Sequence, residues 1–229
     1  MADGTAEEDS GELPASKLGT KEYWDDAYSQ ELVNFNDTGD VGEVWFGESS
    51  LYRIVKWIKS CEKITKSSSF LDVGCGNGIL LVNLAEHGYT NLVGVDYSEG
   101  AIQLASSIAE NKQVNIKYQV CDMLSATESM TLCPEGKFDV CLDKGSYDAI
   151  SLNPEDVEGC RAKYITNVCS LLASDGLFIL CSCNWTKAEL LSQFKDKFDF
   201  LDDLPAPSFS FGGQSGNTVT TLVLRARST

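Results

Sequence analysis

The sequence predicts an α/β fold: a doubly wound, mostly parallel sheet of seven strands with helices on both faces and an antiparallel hairpin at its C-terminal end. Three observations lead there. Short apolar runs recur from Phe70 onward, helical patterns lie between most of them, and the last two runs are joined by a loop rich in Pro and Gly. Strands that alternate with helices are the mark of βαβ units and of a parallel sheet.

Residues 1–17 are rich in Glu, Asp, Gly, Ser and Ala and hold almost nothing apolar, so they read as a disordered acidic tail before a single domain spanning 18–229. Thr20, followed by Glu22, Trp24, Asp25, Tyr28 and Leu32, predicts a capped amphipathic helix. Leu51, Ile54, Val55 and Ile58 recur at helical spacing and predict a second. Strands are expected at Ser69–Val73, Leu92–Val95, Ile116–Val120, Phe138–Leu142, Leu177–Cys181 and Thr218–Leu224, with a further one near Phe198–Leu201. Between them, Ala101, Leu104, Ala105 and Ile108 make one helical stripe, and Tyr164, Ile165, Val168, Leu171 and Leu172 make another. The loop holding Pro205, Pro207, Gly212, Gly213 and Gly216 leaves no room for a crossover helix, hence the terminal hairpin.

Composition narrows the function. Against 18 basic residues stand 34 acidic ones, a net charge of −16. Such a surface repels nucleic-acid backbones and anionic lipid; it suits a basic partner or simple solubility. The N-terminus is polar and acidic rather than a secretory signal, and no apolar run approaches membrane-spanning length. Nine cysteines, several inside apolar patterns such as Cys141, Cys169 and Cys181, read as reduced thiols of a cytoplasmic or nuclear protein. With no C-x-x-C pair and His87 as the single histidine, a metal site is not expected. A monomer is expected.

The chemistry concentrates at strand ends. Asp72-Val73-Gly74-Cys75-Gly76-Asn77-Gly78 is a strand, a tight glycine turn and a helix start. Gly74, Gly76 and Gly78 let the backbone adopt positive φ and approach a ligand closely. The ligand lies at the carboxyl end of the first strand, where open α/β sheets bind them. The spacing is G-x-G-x-G with an acid two residues ahead, not the G-x-G-x-x-G that seats a pyrophosphate, which disfavours a dehydrogenase. It suits S-adenosyl-L-methionine, which carries a sulfonium and an amino-acid end but no phosphate, with Asp72 near the ammonium group. Asp96, followed by Tyr97, ends the second strand where a carboxylate can accept both ribose hydroxyls. Asp122 and Met123 end the third, as acceptor and apolar wall for an adenine.

Four further stretches carry a resemblance: Gly42–Gly47, Asp143-Lys144-Gly145-Ser146-Tyr147-Asp148-Ala149-Ile150, Ser182–Thr186, and Phe209–Asn217. With the cofactor motifs they span Leu18 to the C-terminus. The chain resembles the seven-strand class of S-adenosylmethionine-dependent methyltransferases, with its Rossmann-like fold, and is most similar to the lysine methyltransferases of translation elongation factor 1-alpha. The resemblance implies methylation of a lysine ε-amine on that factor, a basic protein substrate. In this topology Asp143 and Tyr147 are expected at the transfer site and to touch the cofactor's methyl end. Asn184 and Trp185 are expected to line the other side. Trp45 and Phe46 either lid the cofactor or pack as core, and Trp185 either lines the pocket or staples the next helix. Lys144 reads as a solvated or ion-paired lysine, since methyl transfer needs no protein nucleophile. The amine, with an ordinary pKa of about 10.4, must lose a proton, at a cost of roughly 4–5 kcal/mol at neutral pH. Tyr147 and Trp185 are expected to tune that amine and Asp143 to orient substrate or cofactor. Two other readings fit the cofactor loop: a small-molecule N- or O-methyltransferase and a non-catalytic cofactor-binding scaffold. The Asn-Pro-Pro-Tyr type of motif found in nucleic-acid amino-methyltransferases is absent.

Overall fold

The computed structural model describes residues 13–133, 136–206, 209–211, 214–216 and 219–227. A 3-10 turn at Lys17–Gly19 leads into α1 (Lys21–Thr38) and α2 (Gly47–Ser60). The sheet region then runs β1 (Ser69–Val73), α3 (Ile79–Glu86), β2 (Asn91–Asp96), α4 (Glu99–Asn111), β3 (Lys117–Val120), α5 (Ala126–Met130) and β4 (Phe138–Lys144). It continues through α6 (Ser146–Ile150), α7 (Val157–Leu171), β5 (Leu172–Ser182), α8 (Lys187–Phe194), β6 (Phe198–Asp203), the short pair β7 (Phe209–Phe211) and β8 (Gln214–Gly216), and β9 (Thr220–Ala226).

The seven-stranded sheet has the order β3-β2-β1-β4-β5-β9-β6. Strands β1 to β5 pair in parallel, and β9 runs antiparallel between β5 and β6. The expected antiparallel ending is therefore present. Strand β9 occupies an interior position, and β7 and β8 form a separate hairpin in the connecting loop. Pro207, Gly212, Gly213 and Asn217 of that loop lie outside the described residues, as do residues 1–12 of the expected tail. Of residues 13–17, Leu13 and Ser16 are half-buried and the other three are exposed. Leu13 lies against the core, and the Ser16 N–H donates to the Leu152 carbonyl.

Side chains alternate between the two faces of each strand. On one face Leu71, Val73, Cys141, Phe178 and Leu180 pack with Tyr164, Val168 and Leu171 of α7 and Leu190 and Phe194 of α8. On the other, Phe70, Val140, Leu142, Ile179 and Val223 meet Leu51, Ile54, Val55 and Ile58 of α2 and Leu80, Leu81 and Leu84 of α3. Each such fully buried Leu or Ile contributes about 1.5–3 kcal/mol. Helix α1 is capped by Thr20, whose hydroxyl accepts from the Tyr23 N–H, and its Tyr28 packs on Ala101, Leu104 and Ile108 of α4. Helix α8 begins with a full capping box between Thr186 and Glu189. This packing sets the carboxyl ends of β1, β2, β3, β4 and β5 side by side along one edge, with α1 and the segment before α2 above them.

Candidate active site

A cavity of about 300 Å³ opens over those strand ends. At its centre the chain leaves β1 through Gly74, Gly76 and Gly78, with φ of 62°, 52° and 73°. The loop is tied to the neighbouring strand: the Cys75 N–H donates to the Val95 carbonyl at 2.9 Å and the Gly76 N–H to Asp96 Oδ2 at 3.1 Å. A Cβ on Gly74 would stand 2.1 Å from Ser146 Oγ, one on Gly76 2.4 Å from the Tyr28 hydroxyl, and one on Gly78 2.3 Å from the Tyr118 hydroxyl. The loop is thus glycine for two reasons at once: positive φ and neighbours that occupy the space of a side chain.

Asp96 lines the cavity at the end of β2. Its Oδ1 accepts from the Ser98 N–H at 2.9 Å while Oδ2 takes the Gly76 bond, so each oxygen has one fixed donor and keeps capacity toward the cavity. Burial pushes its carboxyl up to about 6, and the two backbone donors hold that rise in check. Tyr97, Asp122 and Met123 complete this end, with the Asp122 carboxylate fixed by the Leu124 N–H at 2.8 Å. Trp45 and Phe46 also reach the wall. The Trp45 ring meets Trp24 edge-on, with centroids 5.2 Å apart. Phe46 is a non-glycine residue at φ 64°, and its ring lies against Gly145. Left-handed backbone at a bulky residue is strained, and here the strain holds an aromatic ring over the loop that follows β4. At the β5 end Asn184 lines the cavity.

Five of the expected site residues are not on the cavity wall, and the pleat explains two of them. Asp72 follows Leu71 and precedes Val73, so it faces the opposite side, toward α2. There burial pushes its carboxyl up to about 7 and the charge of Lys144 opposes that rise. Lys144, which does reach the wall, donates to the Trp45 carbonyl at 3.3 Å; burial lowers its pKa and Asp72 opposes that, so it is a buried cation with partners. Asp143 shares the face of Cys141 and points at α7. It accepts from the Ser146 N–H at 2.8 Å, the Tyr147 N–H at 3.0 Å and the Tyr164 hydroxyl. It is therefore the N-terminal anchor of α6 rather than a group at the transfer site. Tyr147 is fully buried, with its ring tilted against Tyr164 and edge-on to Phe194 and its hydroxyl donating to Gln193. Trp185 is 5% exposed and sits in the core at the entry to α8, with the charge of Arg161 over its ring, so it staples that helix. Gly78 serves the packing of α3 on Tyr118 and Ala105.

Other residues complete the wall. Leu18, Gly19, Lys21, Trp24 and Tyr28 cover the cavity from the N-terminal segment. Gly19 lies so close to Leu152 that a Cβ would stand 2.2 Å from its carbonyl carbon. Asn77 pins the cover to the loop: its amide donates to the Val41 and Glu43 carbonyls, each at 3.1 Å. At the far end stand Asp148, Ala149, Tyr164 and Cys183. The DKG-x-x-DA spacing marked Asp148 in the sequence; a helix of five residues has no stripe to show which way it faces.

A family model described as a methyltransferase domain matches residues 64–225. EEF1A lysine methyltransferase 2 of Danio rerio is 48% identical over 217 residues, covering 94% of this chain and 91% of that one. Protein-lysine N-methyltransferase EFM4 of Saccharomyces cerevisiae is 36% identical over 222 residues, covering 92% and 95%. Among solved structures, an S-adenosylmethionine-dependent methyltransferase from Anabaena variabilis superposes with a TM-score of 0.68 at 17% identity, covering 96% of this chain and all of that one, a likeness of fold.

Proposed function

Because this chain belongs to the S-adenosylmethionine-dependent methyltransferases, in the branch of the elongation factor 1-alpha lysine methyltransferases, we propose that it methylates a lysine ε-amine of that factor. The observation that carries the reading is one continuous cavity. It runs from Asp96, Tyr97, Asp122 and Met123 on β2 and β3, past Gly74 and Gly76, to Asp148 and Asn184 beyond β4 and β5. The first group fits a nucleoside: a carboxylate with spare acceptor capacity for ribose hydroxyls, then an acceptor and an apolar wall for adenine. The glycines leave room for a chain drawn along the loop, and Trp45 closes it from above. When bound, S-adenosylmethionine supplies the methyl as an electrophile on sulfur, where a deprotonated amine forms the N–C bond while the S–C electron pair stays on sulfur.

The protein's share is positioning. Holding two reactants in line is worth about 7–11 kcal/mol in well-oriented systems. Asp96, fixed by two backbone donors, sets one end of the alignment. The cover formed by Leu18, Trp24, Tyr28 and Trp45 excludes water. The net charge of −16 complements a basic protein surface. The nine free thiols go with a cytoplasmic or nuclear enzyme, and we take it to act as a monomer.

Two tests follow. Radiolabelled methyl donor, incubated with the enzyme and purified elongation factor 1-alpha, should label the factor. Label appearing only on low-molecular-weight acceptors would replace the reading with the small-molecule alternative. Second, cofactor affinity should weaken as pH falls below about 6. Above that value Asp96 is ionised and accepts through both oxygens; below it, protonation removes the charge and part of that capacity. Titration calorimetry at pH 8 and pH 5 measures this, and equal affinities would remove Asp96 from the ribose site.

A further inference from the structure

Resting on that reading, we propose that Asp148 is the carboxylate that receives the ε-ammonium of the substrate lysine and orients it, the amine attacking once that ammonium has given a proton to solvent. Asp148 lies in α6, past β4, and lines the cavity at the end away from Asp96 and Met123. It is 5% exposed. Its Oδ1 accepts from Ser182 Oγ at 2.5 Å and its Oδ2 from the Cys183 N–H at 2.7 Å. These two donors, both from the end of β5, fix the plane of the carboxylate. The Cys183 thiol and the Asn184 N–H also face the carboxylate, which lines the cavity wall.

Among the described residues no lysine or arginine forms a salt bridge with it. A buried carboxylate without a cation is expensive unless a cation arrives. The two aromatic rings expected beside the amine, Tyr147 and Trp185, are in the core, so recognition at this end falls to Asp148 and the neighbouring Asn184. Burial raises the Asp148 carboxyl above the ordinary carboxylate range, and the Ser182 and Cys183 donors oppose that rise, as an arriving ammonium would. The two cations that can enter the cavity are the substrate ammonium and the cofactor's sulfonium. The position beside Cys183 and Asn184, past the β4 end of the loop, favours the former.

The test is Asp148→Asn. The amide is isosteric, but Ser182 Oγ already accepts from the Asn184 and Trp185 N–H groups at 3.2 and 3.1 Å, so the amide oxygen keeps only one of the two backing bonds. A thermal melt of the variant checks that the fold is kept, so that the kinetics read the loss of charge. Steady-state kinetics on the elongation factor should show KM rising about 10- to 100-fold. Calorimetry should show affinities for S-adenosylmethionine and its neutral thioether product within about twofold of the unmodified enzyme. A second measurement needs no variant: n-butylammonium should inhibit the wild-type enzyme competitively with the protein substrate, and n-butanol should not. Wild-type label on the factor with an unchanged KM in Asp148→Asn overturns the role of Asp148 and leaves the function standing. Selective loss of affinity for the sulfonium form assigns the charge to the cofactor and also overturns it. Equal inhibition by n-butanol and n-butylammonium does the same. Failure of the wild-type enzyme to label any protein overturns the function itself, and this inference with it.

Discussion

Gly74→Ala is expected to abolish cofactor binding and methyl transfer together. Gly74 sits at φ 62°, where an alanine costs about 1–2 kcal/mol. The larger effect is steric. The new Cβ would lie 2.1 Å from Ser146 Oγ and 2.9 Å from Ser146 Cβ. Ser146 cannot swing aside without loss, because its hydroxyl donates to the Val73 carbonyl at 2.7 Å and its N–H to Asp143 at 2.8 Å. Overpacking of this kind costs typically 1–3 kcal/mol. The two costs together predict an affinity loss of about 100-fold or more, at about 1.4 kcal/mol per factor of ten. Calorimetry with S-adenosylmethionine measures it. Combining Gly74→Ala with Ser146→Ala removes the Oγ clash and should recover part of the loss. Affinity for the single variant within a few-fold of the wild type would mean that the loop has room the geometry denies.

Asp143→Ala should lower the stability of the protein more than it reports on catalysis. The substitution strips the acceptor from the half-buried Ser146 N–H and from the buried Tyr147 N–H and Tyr164 hydroxyl. Each orphaned donor costs about 1–3 kcal/mol. Relief from burying a carboxyl that is pushed up to about 7 returns part of this, so a net loss of about 3 kcal/mol is expected. For a domain of this size that lowers the melting temperature by about 6–12 °C. Asp143→Asn retains an acceptor and should lose less. Thermal melts of both variants decide the matter. A melting temperature equal to the wild type's, with turnover gone, would return Asp143 to the transfer site.

The strands and the glycine loop were legible because local rules force them. Alternation, turn residues and the need for positive φ at Gly74, Gly76 and Gly78 act over a few residues. What a strand end points at is decided by counting from inside the strand, and that count was available: Asp143 keeps the parity of the apolar Cys141, and Lys144 that of Leu142. Reading the DKG run by its polarity alone put Asp143 at the chemistry, whereas parity sends it to Tyr164. Asp72 fails for the same reason. Asp148 follows a left-handed Gly145 in a helix too short for periodicity, so only the β5 donors Ser182 and Cys183 disclose its role. The cover is the hardest part to foresee. Gly19, Lys21 and Tyr28 reach the cavity because α1 packs on α4, a contact across more than 70 residues that no local pattern encodes. Asn77 looks like an ordinary turn residue until its partners, Val41 and Glu43, are known.

The interior position of β9 has a consequence for how the chain is made. On the ribosome, β5 and β6 are complete before residues 220–226 have emerged, yet β6 pairs with no strand of the sheet except β9. Until then the Leu177–Ser182 edge of β5 has no neighbour on that side, and an unpaired apolar edge is a template for aggregation. The nascent chain is thus most exposed until that one short strand closes the sheet from both sides at once.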